Sequence, residues 1–471
     1  MYRQLYDWFQ RAIVSGQLHP GQRVPSTRSL ATELKISRVP VLSAFEQLHA
    51  EGYLETFNGS GTCVAGSIPQ DATQPAPGKF GKPARQKGPR RLSRRAEMLM
   101  SLPQDPAPRN MGAFRVSLPA LDQFPVGIWS SILSRYSRNL TREMMAYADP
   151  MGYRPFREAI AEYLGAARAV HCDASQVMVV AGSQPGLQIT ARALLDPGDR
   201  VWMEEPGYHG AHQAFVLAGA EMVPVPIDQD GLEVEEGVRH CGNARAVYIT
   251  PSHQYPMGVT MSAARRMMLL NWAARNGSWI IEDDYDSEYR FGSRPIGSLQ
   301  GLDADARVIY IGTLSKVLFP ALRLGYVVVP KDLVPAFHAT RDGTDIFSST
   351  LFQAAMTDFM REGHFARHIR RMRMLYMERR NALIEAIRKQ MGEAVEVVSA
   401  EAGMHLVLLV PPRANDRLIA QKAAEAGISA SPLSMCYRTR PPRGGLILGY
   451  AGADARQIRE GVRKLVKILD L

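Results

Sequence analysis

Two short apolar runs in the second half of the chain each end in residues that can carry chemistry. Residues 308–311, Val-Ile-Tyr-Ile, lead into Gly-Thr-Leu-Ser and then Lys316, and an earlier run ends in Glu-Asp-Asp-Tyr-Asp at 282–286. Runs of this length, apolar throughout, are typical of buried strands in a parallel sheet. The sequence therefore predicts an amine and a carboxylate on loops at strand ends.

This combination fits the cofactor pyridoxal phosphate (PLP). PLP needs a lysine that binds its aldehyde and an acid that keeps its pyridine nitrogen protonated. A Ser-Lys pair alone is more often a surface feature, but an Asp-x-Tyr at a second strand end is harder to obtain by chance. We expect Lys316 and Asp283 to fill these two roles.

Strand and helix signals alternate through the large C-terminal part, which predicts an α/β/α fold with a mostly parallel sheet. Residues 176–180 predict a strand, and Gly182, Ser183 and Gln184 follow it at the start of a helix ending near Leu195. Free backbone N–H groups at such a helix start suit a phosphate dianion. A Gly-Ser turn alone would be an ordinary helix cap.

The first 65 residues predict three helices and a hairpin. Apolar residues recur at helical spacing from Leu5 to Ile13, Ser26 opens a second helix, and Ser37 caps a third whose inner face we expect to include Leu42. Two short strands, 53–57 and 62–64, flank a glycine-rich turn. This order is that of a winged helix-turn-helix.

Two motif sets carry a family resemblance. Residues 21–31 (Gly-Gln-Arg-Val-Pro-Ser-Thr-Arg-Ser-Leu-Ala), 37–38 (Ser-Arg), 51–54 (Glu-Gly-Tyr-Leu) and 59–62 (Gly-Ser-Gly-Thr) resemble the GntR family of bacterial repressors and activators. The rest resembles a fold-type I aminotransferase with a smaller C-terminal α+β subdomain. Together they resemble the MocR subfamily, in which an aminotransferase-like domain is the effector sensor of a transcription factor.

The resemblance assigns roles in the cofactor site, with Tyr208 stacked on the ring and Tyr285 reaching its hydroxyl. True aminotransferases usually carry Asn-Pro where this chain has Tyr255 and Pro256. The ring hydroxyl must therefore find another partner, with His253 or Gln254 as candidates. The cofactor-binding residues implied are Gly182, Ser183, Gln184, Tyr208, Asp283, Tyr285, Thr313, Ser315, Lys316 and Arg323, with Lys316 as the catalytic residue.

The resemblance also predicts how DNA is bound. The third helix should enter the major groove, where Arg38 can donate two hydrogen bonds to a guanine. The family often has a basic residue where this chain has Leu42, which suggests fewer polar base contacts or a shifted readout. The expected DNA-binding residues are Arg23, Ser26, Arg28, Ser37, Arg38, Gly59 and Gly61.

Charge and proline content mark the domain borders. Residues 66–95 hold eight Lys and Arg against Asp71 alone, together with five prolines. Such a segment cannot build a core and predicts a flexible or semi-extended tether, either simply solvated or also touching DNA phosphates. We place a winged helix-turn-helix at 1–66, a basic linker at 67–108 and the aminotransferase-like domain at 109–471.

Three functions stay open from the sequence. The first is a PLP-dependent regulator that binds operator DNA as a homodimer and senses an amine, an amino acid or PLP; residues 364–373 would lie at the dimer interface. The second is a working aminotransferase with an added DNA-binding module. The third is a DNA-binding protein whose large domain has lost its cofactor. Any of Arg438, Arg440 or Arg443 could bind a ligand carboxylate.

Other classes of site are not expected. The four cysteines are far apart in sequence, so no metal or redox motif is present. The chain has no apolar stretch of about 18 residues and no signal peptide. We expect a bacterial cytoplasmic protein, nucleoid-associated when bound to DNA, with no metal and no membrane partner.

Overall fold

The computed structural model describes residues 1–57, 61–66, 91–102, 112–292, 296–398 and 401–470. These residues fall into two compact units, Met1–Arg91 and Leu92–Leu471. Within the described residues, no helix combines the length and the apolar character needed to cross a membrane.

The first unit is a winged helix-turn-helix. Its elements are α1 (Tyr2–Val14), α2 (Thr27–Glu33), α3 (Arg38–Ala50), β1 (Leu54–Phe57) and β2 (Gly61–Val64). Ser26 caps α2, its hydroxyl accepting a hydrogen bond from the Ser29 amide at 3.1 Å. The strands pair antiparallel, Leu54 opposite Val64, and Arg23 forms a β-bridge with Cys63 beside them. Phe9, Val41 and Leu48 are buried among the helices.

Leu42 does not join this core, and the expectation that it lies on the inner face of α3 is wrong. Its side chain is 41% exposed, whereas Val41 is fully buried. The reason is helical geometry: one residue further along turns the side chain by about 100°, away from the stripe formed by Val41, Phe45 and Leu48.

A short helix, α4 (Arg94–Ser101), lies within residues 67–108, which the sequence assigns to a basic linker. The Ser93 hydroxyl caps it by accepting from the Ala96 amide at 3.2 Å. The Arg95 guanidinium lies close to Gly219 of the same unit, Leu92–Leu471, at 3.2 Å from where a Cβ would stand. Gly219 follows the last residue of the helix His209–Ala218. The guanidinium therefore lies at a helix C-terminus, where backbone carbonyl groups lack partners within the helix and a positive charge is favourable.

The second unit contains an eight-stranded sheet in the order β3-β10-β9-β8-β7-β4-β5-β6. Strands β9, β8, β7, β4 and β5 run parallel, while β10 pairs antiparallel with β3 and β9. Its strands are β3 (Val177–Val180), β4 (Arg200–Glu205), β5 (Glu221–Asp228), β6 (Gly231–Leu232), β7 (Ala246–Ile249), β8 (Trp279–Asp284), β9 (Val308–Thr313) and β10 (Gly325–Val328).

Helices cover both faces of this sheet. Ile309 and Ile311 of β9 pack into one apolar cluster, whereas Tyr310 between them packs into another. The helices are α5 (Val126–Arg138), α6 (Arg142–Met145), α7 (Arg154–Arg168), α8 (Ser183–Leu194), α9 (His209–Ala218), α10 (Val234–Cys241), α11 (Ala263–Asn276), α12 (Val334–Asp342) and α13 (Thr350–Arg361).

A smaller α+β subdomain follows, as expected from the sequence. Its antiparallel sheet has the order β11-β12-β14-β13 and shares one core with the helices. The fold class predicted from the sequence is confirmed. The elements are α14 (His364–Met391), β11 (Glu396–Val398), β12 (His405–Leu409), α15 (Asp416–Glu425), β13 (Ser431–Pro432), β14 (Gly445–Gly449) and α16 (Ala455–Leu469).

Candidate functional site

A cavity of about 340 Å³ opens where the parallel strands end. Asp283 of β8 is paired with Ile311 of β9, so the residues that follow both strands emerge on the same edge. The cavity therefore contains Asp283 and Lys316 together, as the sequence predicts. Its lining residues are Arg115, Val116, Ser117, Ser183, Tyr208, Tyr248, Thr250, Tyr255, Asp283, Tyr285, Lys316 and Ser431.

The two carboxylate oxygens of Asp283 differ in their hydrogen bonding. The Tyr248 hydroxyl donates to Oδ2 at 2.8 Å, and Oδ1 is buried without a hydrogen-bond partner among the described residues. Burial raises the pKa of Asp283 to about 7, opposed by the Tyr248 hydrogen bond and the Lys316 charge. A buried acceptor of this kind needs a donor, and the N–H of a protonated pyridine ring provides one. The residues present therefore fit PLP.

The raised pKa of Asp283 predicts a pH-dependent stability of the cofactor-free protein. Between about pH 4 and pH 7 the unfolded chain releases this proton while the folded chain keeps it, so stability falls as pH rises through that window. Asp283→Asn should show a shallower fall. The unfolding temperatures of both cofactor-free proteins between pH 4.5 and 7.5 measure this difference. If the unfolding temperature falls equally steeply with pH in both proteins, the buried Asp283 carboxyl is not the cause of the pH dependence.

Lys316 lies on the loop after β9, half-buried in the cavity wall. Burial lowers the pKa of Lys316, while the carboxylates of Asp283 and Asp286 oppose that shift. A lowered amine pKa favours the neutral form, which is the nucleophile that an aldehyde requires. Thr313 and Ser315, just before it, are both buried, and the Thr313 hydroxyl accepts from the Ser315 amide at 3.2 Å.

The opposite end of the site is built for an anion. Gly182, at φ +109, precedes α8, whose first residue Ser183 lines the cavity. A Cβ on Gly182 would stand 3.3 Å from Nη1 of Arg323, so this guanidinium lies directly against the helix start. Free N–H groups and an arginine fork together suit a phosphate.

Gln184, expected at the phosphate, is turned elsewhere. Its side-chain amide donates to the Gly210 carbonyl at 2.8 Å. A Cβ on Gly210 would lie within 2.7 Å of both the Gln184 amide oxygen and the Tyr208 hydroxyl. The Gln184 side chain thus contacts the loop that presents Tyr208, while its backbone N–H lies in the first turn of α8.

Tyr285 and His253 contact one another. The Tyr285 hydroxyl lies 2.9 Å from Nδ1 of His253, which is also 2.9 Å from Asp286. Gln254, the other candidate for the ring hydroxyl, is fully engaged: its amide donates to the carbonyls of Pro206 and Tyr255, at 2.8 and 2.7 Å, and accepts from the Met257 amide at 3.1 Å. His253 therefore acts on the cavity through Tyr285, and Gln254 holds the loop.

None of the three C-terminal arginines lines the cavity. Arg443 forms an ion pair with Glu396 at 2.8 Å and also donates to a backbone carbonyl. Arg438 lies 3.1 Å from His212, at a separate small groove behind Tyr208.

The sequence interpretation missed several lining residues. Tyr248 lies in an apolar run, and this pattern by itself predicts only a buried strand. A tyrosine hydroxyl on the strand next to the one that carries Asp283 could nevertheless have suggested a cavity residue. Arg115 and Ser117 come from a loop far upstream, and Ser431 from the small subdomain. Sequence spacing alone contains nothing that links these segments to the strand ends.

The expected DNA-binding side chains of the first unit are exposed. Arg23, Arg28 and Arg38 all face solvent, and Nε of Arg38 donates to the Thr27 hydroxyl at 3.3 Å. Ser37 precedes α3 without a side-chain cap hydrogen bond, unlike Ser26. Gly61 opens β2 at φ +84. Gly59 lies outside the described residues.

No metal centre is found in the described ranges, where no group of three or more His, Cys, Asp or Glu side chains could hold an ion. Cys63, Cys172, Cys241 and Cys436 are free thiols.

Both halves of the chain match known protein families. Residues 1–64 match the gntR family of bacterial regulatory proteins, and residues 124–465 match aminotransferase class I and II. The chain is 41% identical over 467 residues to the probable rhizopine catabolism regulatory protein MocR of Rhizobium meliloti, covering 99% of this chain and 93% of that protein.

More distant relatives agree. The pyridoxine biosynthesis transcriptional regulator PdxR of Corynebacterium glutamicum is 29% identical over 97% of this chain and 93% of its own length. The structure of Pyrococcus horikoshii kynurenine aminotransferase superposes with a TM-score of 0.71 at 28% identity, covering 81% of this chain and 95% of that one. The chain belongs to the MocR subfamily of gntR-type transcription regulators, with a PLP-dependent aminotransferase-like domain.

Proposed function

We propose that this regulator binds operator DNA through its winged helix and senses an amino-group effector, or PLP itself, through its aminotransferase-like domain. The supporting observation is that Lys316 and an oxygen of Asp283 without a partner among the described residues share one cavity, on a chain that also carries a winged helix with exposed arginines. A domain that had lost its cofactor would have no need of this pair. We assign the borders at 1–66, 67–108 and 109–471.

Each cavity residue has a defined task in this proposal. PLP, when bound, supplies an aldehyde that combines reversibly with amines and a ring that withdraws electrons. The Lys316 amine would hold the cofactor through its aldehyde. Asp283 would keep the ring nitrogen protonated, Tyr208 would cover the ring, and Arg323 would bind the phosphate together with the start of α8.

The remaining predicted residues complete the contacts. Tyr285 reaches the ring hydroxyl and is oriented by His253 at 2.9 Å. Gly182 lets the backbone come close to the phosphate, and Ser183 and the backbone of Gln184 donate to it. Thr313 and Ser315 lie on the loop that ends in Lys316, near the same phosphate.

On the DNA side, α3 enters the major groove with Arg38 at base edges, and Arg23 and Arg28 contact phosphates. The proposed DNA-binding residues also include Ser26, Ser37, Gly59 and Gly61. A homodimer formed by the aminotransferase-like domains would engage two half-sites, as direct or inverted repeats. Such a protein would work in the bacterial cytoplasm, at the nucleoid.

Effector binding should change operator affinity. Only a ligand that prefers one of two states can shift their equilibrium, and a 10-fold change in affinity needs about 1.4 kcal/mol of coupling. The test measures operator binding by the full chain without PLP, with PLP, and with PLP plus individual amino acids and amines. We expect at least one of these conditions to change affinity about 10-fold.

The same preparation tests the alternative function. Incubating the PLP-loaded protein with an amino acid and a keto acid, and measuring the new amino acid, reports transamination. If no ligand changes operator affinity and the protein turns over substrate at an ordinary enzyme rate, the protein is an aminotransferase with an added DNA-binding module. A half-reaction without sustained turnover is compatible with the sensor.

A further inference from the structure

A buried histidine–aspartate pair lies behind the cavity wall. Nδ1 of His253 is 2.9 Å from Oδ1 of Asp286 and 2.9 Å from the Tyr285 hydroxyl. Tyr285 lines the cavity, whereas His253 and Asp286 do not. The side chains of His253 and Asp286 are only 2% and 1% exposed. The pair can therefore act on a bound ligand through the Tyr285 hydroxyl or through its charge.

The sharing of one nitrogen decides the direction of these hydrogen bonds. A carboxylate has no hydrogen to donate, so the contact with Asp286 requires that Nδ1 of His253 carries one. A nitrogen that carries a hydrogen cannot also accept one from the Tyr285 hydroxyl. The hydroxyl must therefore accept from Nδ1, and its own hydrogen is left for an acceptor in the cavity.

The other polar atoms of the pair agree with this direction. Nε2 of His253 and Oδ2 of Asp286 are both buried without a hydrogen-bond partner among the described residues. In protein interiors an N–H group without a partner is rarer than an acceptor without one. Nε2 is thus better without a hydrogen, which places the single hydrogen of a neutral imidazole on Nδ1.

The small subdomain encloses the pair from the other side. Gly403, at φ +78, comes so close that a Cβ there would overlap the His253 ring and stand 2.6 Å from Oδ2 of Asp286. The Gly403 amide donates to the Tyr289 carbonyl at 2.6 Å, which holds this loop in place. The positions of His253 and Asp286 are therefore fixed by packing from both parts of the second unit.

Neighbouring groups leave the Tyr285 hydroxyl protonated and His253 without a competing partner. Burial, and then the charge of Asp286, raises the pKa of Tyr285 well above its usual range. Burial lowers the pKa of His405 to about 4, and its Nε2 lies 3.1 Å from the Pro256 carbonyl, to which it donates. The titratable groups around the pair are Glu204, Tyr255, Asp283, Tyr289, Lys316, His405 and Tyr450.

We propose that His253 and Asp286 are positioning residues that direct the hydrogen of the Tyr285 hydroxyl into the cavity, toward the ring oxygen of the cofactor. This inference rests on the proposed binding of PLP. A donor at the ring oxygen stabilises its deprotonated form. The pair therefore sets the pH at which the visible band of the bound cofactor changes.

The position of the hydrogen can be measured without the cofactor. Nitrogen NMR of the cofactor-free full chain, with labelled histidine and with His253→Phe to identify the signal, should find hydrogen on Nδ1 of His253. An Nδ1 without hydrogen would overturn the proposal. This measurement on the wild-type chain needs no other variant to fold.

The second test is a pH titration of the visible spectrum of the PLP-loaded protein. Asp286→Leu removes the acceptor, so that Nδ1 of His253 can accept from the Tyr285 hydroxyl and draw its hydrogen away from the cavity. The transition should move upward by about one pH unit, which is a 10-fold change. Loss of the negative charge alone would act in the opposite direction, since Asp286 raises the pKa of the Lys316 amine.

Two further variants separate the hydrogen bond from other effects. In a Tyr285→Phe background, Asp286→Leu should not raise the transition. Adding His253→Phe to Asp286→Leu removes the competing acceptor and should bring the transition back to within about 0.3 units of the wild-type value, a 2-fold difference. Asp228→Leu, which removes a carboxylate paired with Arg265 outside the cavity lining, should leave the transition unchanged.

Each failure has its own signature. An equal shift by Asp286→Leu with and without the Tyr285 hydroxyl would mean that Asp286 does not act through it, and the proposal fails. A double variant that stays at the value of Asp286→Leu would remove His253 from the same role. If wild-type protein shows no visible band with PLP, the proposed cofactor site fails. If operator affinity ignores every ligand while the titrations behave as expected, sensing fails and the role of the pair stands.

Discussion

Replacing Lys316 with alanine is expected to abolish covalent attachment of PLP completely. In the wild-type protein, borohydride reduction should fix the cofactor on Lys316, and mass spectrometry of the digested chain should find it on that peptide. The variant should carry no fixed cofactor and lack the visible absorption band. Its unfolding temperature without PLP should be equal or higher, since burial lowers the pKa of the Lys316 amine and so disfavours its charged form.

A matched control comes from Lys331, an exposed lysine whose amine lies 2.9 Å from Asp173. Lys331→Ala removes the same side chain outside the cavity and should keep the cofactor on Lys316. If the Lys316 variant retains a covalently bound cofactor after reduction, another amine forms the bond and the assignment of the site is wrong. If wild-type protein shows no band after PLP is added, the cavity does not bind the cofactor in this manner.

The strand-end chemistry could be predicted from the sequence because it is local. Glu282 to Asp286 and Gly312 to Lys316 each follow a run of buried residues, and parallel pairing of β8 with β9 brings their ends together. The same holds for Ser26, whose cap hydrogen bond spans three residues. Signals of this type depend on short-range geometry, which periodicity and capping rules describe well.

The rest of the cavity depends on long-range contacts that no local pattern encodes. Arg115 lies about 200 positions before Lys316 in the printed sequence and arrives through pairing of Phe114 with Gly449. Gln184 fits a phosphate loop by resemblance, yet its amide donates to Gly210 instead. A motif can identify a loop, but the direction of a side chain is decided by the packing around it.

The position of Leu42 has the same kind of explanation. An apolar residue between Val41 and Phe45 suggests a core position, but the core stripe of α3 does not reach it. Leu42 is 41% exposed and Val39 is 70% exposed. Apolar side chains on a helix that enters the major groove can contact thymine methyl groups, so the departure from the family's basic residue is consistent with a more apolar readout.

Arg38→Ala is expected to weaken operator binding by about 1–3 kcal/mol, the value of a bidentate contact with guanine. The exposed side chain starts α3, and its Nε donates to the Thr27 hydroxyl, which orients the guanidinium. Binding to unrelated duplexes should change much less, because that binding depends on phosphate contacts. Affinities for a selected operator and a scrambled duplex, at two salt concentrations, give the specificity ratio.

Arg11→Ala is the matched control, because it removes one positive charge from the same unit at an exposed position on α1, where Nε donates to the Asp7 carbonyl at 2.8 Å. Loss of charge alone would weaken operator and scrambled DNA equally in both variants. Loss of a base contact would lower the operator affinity of Arg38→Ala only. An Arg38 variant with the wild-type specificity ratio would mean that α3 does not read bases through this residue.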